Sequence, residues 1–152
     1  MGMCTIKRFK NKKDFNHAFD FTLGWEGGYV NDPNDPGGET KFGISKRANP
    51  SVDIKALTVD GAKKIYKAKY WDAAGCKEMD WPLNCVMFDM AVNLGVSRAK
   101  SLYREVGDNP EELITRRETY YQRLAKQKPG FQRYLRGWFN RTRSLRDYIK
   151  EA

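Results

Sequence analysis

The sequence predicts a mainly α-helical chain of about six helices, with a small turn-rich or β-hairpin insertion after the first. Three observations carry this expectation. Apolar residues recur at three- and four-residue intervals over most of the 152 positions. Asn, Asp, Pro and Gly crowd into one segment, residues 29–45. Helix-start signals recur along the chain, the clearest being Asn109-Pro110-Glu111-Glu112.

The first ten residues read as a loose arm. From about Asn11 to Trp25, the side chains Phe15, Phe19, Thr22 and Leu23 fall on helical spacing. Gly27 and Gly28 are expected to stop that helix, because glycine accepts the left-handed conformation of a helix end, and Glu26 then sits at its C-terminal edge. In Tyr29 to Ser45, two Asn/Asp-Pro steps and a Gly-Gly pair mark turns, and Tyr29–Val30 and Phe42–Ile44 are candidate strands of a hairpin. Thr58 suits the N-cap of a second helix, with Asp60 in its first turn, running to about Tyr70–Trp71. Pro82 suits the first position of a third helix, whose apolar face is Leu83, Val86, Met87, Met90, Ala91 and Leu94, with Gly95 closing it. Ser97 caps a short fourth helix ending at Gly107. Asn109 caps a fifth that reaches about Lys126, where Pro129 interrupts. A last amphipathic helix carries Phe131, Leu135, Trp138, Phe139, Leu145 and Ile149. With no internal repeat or low-complexity linker, residues 1–152 are expected to form one domain.

Composition narrows the function classes. No apolar run approaches the ~20 residues of a membrane-spanning helix. The basic first twenty residues lack the apolar centre of a secretory signal, so the expectation is accumulation in the cytoplasm. Three cysteines (Cys4, Cys76 and Cys85) and a single histidine, His17, argue against a disulfide framework or a metal site. Neither a zinc peptidase nor a Cys-His amidase is expected, and no cofactor is implied. The net charge of +9 is uneven: residues 1–97 carry 14 Lys and Arg against 12 Asp and Glu, whereas residues 98–152 carry 14 against 7. Such a field draws a protein towards polyanions such as nucleic acid, anionic lipid or an acidic wall. No nucleic-acid-binding motif is present, so no specific nucleic-acid partner is expected.

Glu26 to Ser45 holds the chemistry. A carboxylate follows an apolar helix and precedes a glycine-rich loop bearing Asp32, Asp35, Glu39 and Thr40. Glycosidic cleavage needs a carboxylic acid to protonate the leaving oxygen and a second group to stabilise positive charge or to activate water. Phe21, Trp25 and the negative end of the first helix are the expected surroundings that keep such an acid protonated. On the bare pattern, a carboxylate at a helix end is usually a solvated surface residue, and Asp and Asn beside Pro and Gly are usually turn formers.

The run Glu26-Gly-Gly-Tyr-Val-Asn-Asp-Pro-Asn-Asp-Pro-Gly-Gly-Glu-Thr-Lys-Phe-Gly-Ile-Ser45 closely resembles the signature of glycoside hydrolase family 108. Residues 53–71 and the run Phe88-Asp89-Met90-Ala91-Val92-Asn93-Leu94-Gly95 resemble its second and third blocks. Residues 117–141 resemble the peptidoglycan-associated region that follows. In the second helix the family commonly has Glu-Ala where this chain has Gly61-Ala62.

The resemblance implies a lysozyme-like fold, with a catalytic part over residues 11–107 and a C-terminal helical part over 108–152. It also implies hydrolysis of the bond between N-acetylmuramic acid and N-acetylglucosamine in bacterial peptidoglycan, with Glu26 as general acid. Asp35 and Thr40 follow the Glu…Asp…Thr order of phage lysozymes, with the Asp-to-Thr gap one residue shorter. Tyr29, Asn31, Tyr70, Trp71 and Asn93 are candidate sugar contacts, with core packing the alternative for Tyr70 and Trp71 and a helix-end role for Asn93. For Asp89 a structural role, pairing with a nearby arginine or capping a backbone group, is favoured over a substrate contact. Lytic transglycosylase chemistry on the same substrate is an alternative, as is a non-catalytic cationic module that binds cell wall or nucleic acid. The lack of a secretory signal further suggests holin-dependent release, as in phage lysis, with a specialised secretion system the alternative. A monomer is expected. The basic C-terminal helices are candidates for attraction to anionic envelope lipid.

Overall fold

The computed structural model describes residues 13–34 and 37–151. Among them are six α-helices and one three-stranded antiparallel sheet. Helix α1 (Phe15–Leu23) starts from a reciprocal cap: the Asp14 carboxylate accepts the Asn16 amide at 3.0 Å, and His17 Nδ1 accepts the Asp14 amide at 3.3 Å. Such a cap is worth about 1 kcal/mol. The helix ends earlier than Gly27-Gly28. Trp25 and Glu26 follow in turns, their amides bonded to the carbonyls of Thr22 and Leu23 at 3.0 and 3.1 Å. Glu26 therefore stands on the turn beyond the helix.

The insertion is a meander of three strands, β1 (Val30–Asn31), β2 (Glu39–Lys41) and β3 (Ile44–Ser45), one more than the hairpin the sequence suggests. Val30 faces Thr40, and Lys41 faces Ile44. Phe42 lies in the turn rather than in a strand. Phe42 and Gly43 form the two-residue connection with φ of +52° and +78°. Two positive φ values give the turn whose twist matches that of the flanking strands. A phenylalanine in that region costs on the order of 1–2 kcal/mol. The Tyr66 hydroxyl donates to the Phe42 carbonyl at 2.5 Å and fixes the turn.

Helix α2 (Val59–Tyr66) is capped by Thr58, as expected, and continues into a π-helical turn, Lys67–Asp72. Then come α3 (Leu83–Leu94), α4 (Val96–Val106) and α5 (Pro110–Gln127), the last capped by Asn109. A 3-10 segment, Pro129–Tyr134, leads into α6 (Leu135–Lys150).

Helix α3 is the axis of the fold. The sequence suggests one apolar face, but every residue from Leu83 to Ala91 is buried. Phe15 and Trp71 meet Phe88 edge-on at 5.5 and 5.8 Å, and Phe19 and Tyr66 extend the cluster. Cys76 and Cys85 are free thiols in this core; burial pushes Cys76 up to about 12 and raises Cys85 as well. Cys4 lies outside the described residues.

Charged side chains also sit in this core: Asp89, Arg117 and Arg141. Asp89, on α3, has no exposed surface. It accepts from Thr22 of α1 at 2.8 Å, pairs with Arg117 of α5 at 2.8 Å, and receives Nη2 and Nε of Arg141 of α6 at 2.8 and 3.1 Å. A buried carboxylate is tolerated only with such partners. Burial alone would raise the Asp89 pKa; Arg141 and Arg117 reverse that and hold it at about 2.

The folded-state value lies below the ordinary 3.8, so this contribution to stability is complete above about pH 4 and disappears as pH falls towards 2. The expected loss is about 2 kcal/mol, read as a falling Tm across that window. Asp89→Asn should flatten the acid limb and lower stability at neutral pH by about 3–5 kcal/mol. An acid limb as steep in the variant as in the parent would remove Asp89 from this role.

Candidate active site

The turn after α1 places Glu26 between the hairpin turn at Gly43 and Arg141 of α6. Its side chain is 22% exposed, and its Oε2 accepts from Arg141 Nη1 at 3.2 Å. Arg141 is itself 7% exposed and is held mainly by Asp89. Burial alone disfavours its charge, but Asp89, and then Glu26, raise its pKa above the ordinary arginine value. One guanidinium thus joins a fully buried carboxylate to a partly exposed one.

The hairpin closes the other side. A Cβ built on Gly43 would lie 3.0 Å from both Cβ and Oε1 of Glu26 and would collide with the Tyr66 hydroxyl. Only glycine lets the turn come this close, and its φ of +78° also favours glycine. The rings of Tyr66 and Tyr70, 5.5 Å apart, complete the surroundings. Burial first, and then the charge of Glu26, raise both phenols, which remain neutral O–H groups at neutral pH.

The sequence-derived candidates are distributed unevenly around this point. Tyr70 lies within the electrostatic reach of Glu26. Thr40 is half-buried on β2, on the hairpin whose turn meets Glu26. Tyr29 is exposed and donates to Glu39 Oε2 at 2.6 Å, and Asn31 is exposed on β1 opposite Glu39. Asn93 accepts from the Tyr121 hydroxyl, which itself accepts from Arg117 Nε at 2.7 Å. It therefore joins the ion-pair network from behind. Asp35 lies outside the described residues.

Trp71 is a correction: it is buried and packs edge-on to Phe15 at 5.3 Å. Consecutive residues on a helical turn point in different directions, so Tyr70 and Trp71 do not share a face, and the core takes the larger apolar ring. The expected surroundings of Glu26 are corrected too. Phe21 packs on Tyr148 at 5.1 Å and Trp25 is exposed, whereas Tyr66, Gly43 and Arg141 stand around the carboxylate.

Sequence reasoning missed those three residues. Gly43 was hidden among the turn glycines. Tyr66 falls within the second helix and the second family-like block, residues 53–71, where nothing in the sequence marks it as a site residue. Arg141 is 115 positions from Glu26. The one available signal was Asp89, a carboxylate in an apolar run that requires buried cations.

The sequence pattern of the glycosyl hydrolase 108 family matches residues 19–95, about half of the chain, and spans Glu26, Gly43, Tyr66 and Asp89. The chain belongs to the glycosyl hydrolase 108 family. It is a glycosidase, and membership of that family implies peptidoglycan as the substrate. No curated protein matches the chain significantly. Among solved structures, that of Brucella abortus SagA is similar, with a TM-score of 0.70 and 24% identity, covering 90% of this chain and 94% of that one. At that identity the likeness concerns the fold, which is the mainly α, lysozyme-like architecture expected from the sequence. The family match ends at residue 95, yet the partner of Glu26 is Arg141 on α6.

In this glycosidase, Gly43→Ala forces the hairpin turn away from Glu26. The expected result is an unchanged far-UV spectrum, a lower Tm and a wall-hydrolysis rate reduced about ten-fold or more, since displacements near 1 Å at a reacting group cost up to ~10²-fold. Parental activity in Gly43→Ala would show that the close approach is not needed.

Proposed function

We propose that this family member is an endolysin-type muramidase that hydrolyses the β-1,4 bond between N-acetylmuramic acid and N-acetylglucosamine. The observation that carries this reading is the setting of Glu26. It is a partly exposed carboxylate fixed between a glycine turn and a guanidinium that a buried aspartate anchors. Arg141 makes three contacts with Asp89 and one with Glu26, so it orients the catalytic group while most of its own charge is matched elsewhere.

In the reaction, the Glu26 carboxylic acid gives its proton to the bridging oxygen as the bond from that oxygen to the anomeric carbon breaks. Positive charge develops on the anomeric carbon and ring oxygen, and water then adds to the carbon and loses a proton. Asp35 and Thr40 are proposed to stabilise that charge and to position the water. Tyr29, Asn31 and Tyr70 are proposed to contact the glycan. The basic C-terminal helices are proposed to draw the enzyme, as a monomer, to the anionic envelope after holin-dependent release from the cytoplasm.

Glu26→Gln tests the acid role. It should keep the parental Tm within a few degrees and lose about 10²–10⁴-fold in the hydrolysis of purified glycan strands. Full activity in this variant would remove Glu26 from the mechanism. Mass spectrometry of the digest should show reducing N-acetylmuramic acid ends. Anhydro-muramic ends would replace hydrolysis with transglycosylation.

A further inference from the structure

A second site lies on the outer face of α5. Arg116, Tyr120, Arg123, Leu124 and Gln127 follow one another at helical intervals and, with Arg98 and Lys128, line a hollow of about 430 Å³. The opposite face of the same helix, with Leu113, Ile114, Arg117, Tyr121 and Ala125, is buried. The hollow holds four cations and no carboxylate in its wall.

Two of these groups are preorganised. The Arg98 guanidinium lies 5.0 Å over the Tyr120 ring. Arg116 Nε is fixed by Glu105 at 2.7 Å, while its buried Nη1 has no acceptor among the described residues. Arg98, Arg123 and Lys128 form no ion pair within the described residues. A second hollow of about 670 Å³ adjoins the first, sharing Arg98 and Tyr120. It adds the N-terminal turn of α4 and the hydroxyl-bearing Ser97 and Ser101.

We infer that this double hollow is a binding site for a phosphorylated saccharide. The phosphate would occupy the arginine lobe, where guanidinium forks match its oxygens in pairs. The sugar hydroxyls would face Ser97, Ser101 and the free amides at the start of α4. Three cations without a carboxylate partner, with the unpaired edge of Arg116 beside them, suit a dianionic phosphate better than a single carboxylate. This site is separate from Glu26 and does not depend on the muramidase reading.

The test is calorimetric titration of the full chain with glucosamine 6-phosphate, with glucosamine as the neutral control, repeated at raised salt. Expected are salt-sensitive binding of the phosphosugar, no binding of glucosamine, and affinity reduced about ten-fold or more in the Arg98→Gln/Arg123→Gln double variant. Glu26→Gln should bind as the parent does, and the double variant should hydrolyse unphosphorylated glycan strands at the parental rate. Arg143→Gln, on α6, should leave binding unchanged. Equal binding of both sugars, no binding of the phosphosugar, or an undiminished affinity in the double variant overturns the site. Binding to phosphatidylglycerol vesicles without binding of the phosphosugar also overturns it, in favour of a membrane surface.

Discussion

A carboxylate fully removed from water and placed in a helix buried from Leu83 to Ala91 would be ruinous without cations around it. Asp89 is satisfied by two arginines and a threonine drawn from three other helices. That requirement organises the molecule. Thr22 ties α1 to the axis, Arg117 ties in α5, and Arg141 ties in α6. Replacing such a cluster with apolar groups of matching shape often costs nothing in stability. What an apolar core would not supply is Arg141's remaining hydrogen-bonding edge, which reaches Glu26. The buried charge therefore links the fold to the candidate site: the contacts that dock the last helix also orient Glu26.

This arrangement bears on how the chain divides. The family match stops at residue 95, and composition alone invites a split between a catalytic part and a basic C-terminal part. The geometry argues against independence of the two. Arg117 and Arg141 lie beyond the match, and without them Asp89 would be a buried charge with one hydroxyl for company. A second clasp binds α5 to α6: Glu118 accepts from Arg146 at 2.7 Å and from Thr142 at 2.6 Å. The C-terminal helices complete the site rather than append to it.

Much of the fold was legible because local rules were obeyed. Thr58 and Asn109 cap the helices they were expected to cap, and Gly95 and Gly107 sit at the predicted breaks. Legibility failed where tertiary contacts decide. Periodicity cannot show that α3 is enclosed on all sides, because Cys85 and Phe88 carry no phase of their own. It cannot show that Trp71 turns inward while its neighbour Tyr70 stays half-buried against Tyr66, since both suit either environment. Glu26 is singled out by its motif. Its partner is not, because an arginine among fourteen basic residues of the C-terminal third carries no local sign of burial.

The same point changes the meaning of the net charge. Read from sequence, the C-terminal excess is a surface field. In the structure, Arg117 and Arg141 are consumed in the core by Asp89 and Glu26, and Arg146 is held by Glu118 and Glu111. The cations free to act on a partner are a smaller set, and several of them converge. Arg98, Arg123 and Lys128 share one hollow with the half-buried Arg116. Attraction of the basic C-terminal helices to a polyanion should therefore be uneven, with one concentrated centre on a face of α5 and the start of α4. Long-range charge can bring the enzyme to its wall, but only such a convergent group can decide which anion it holds.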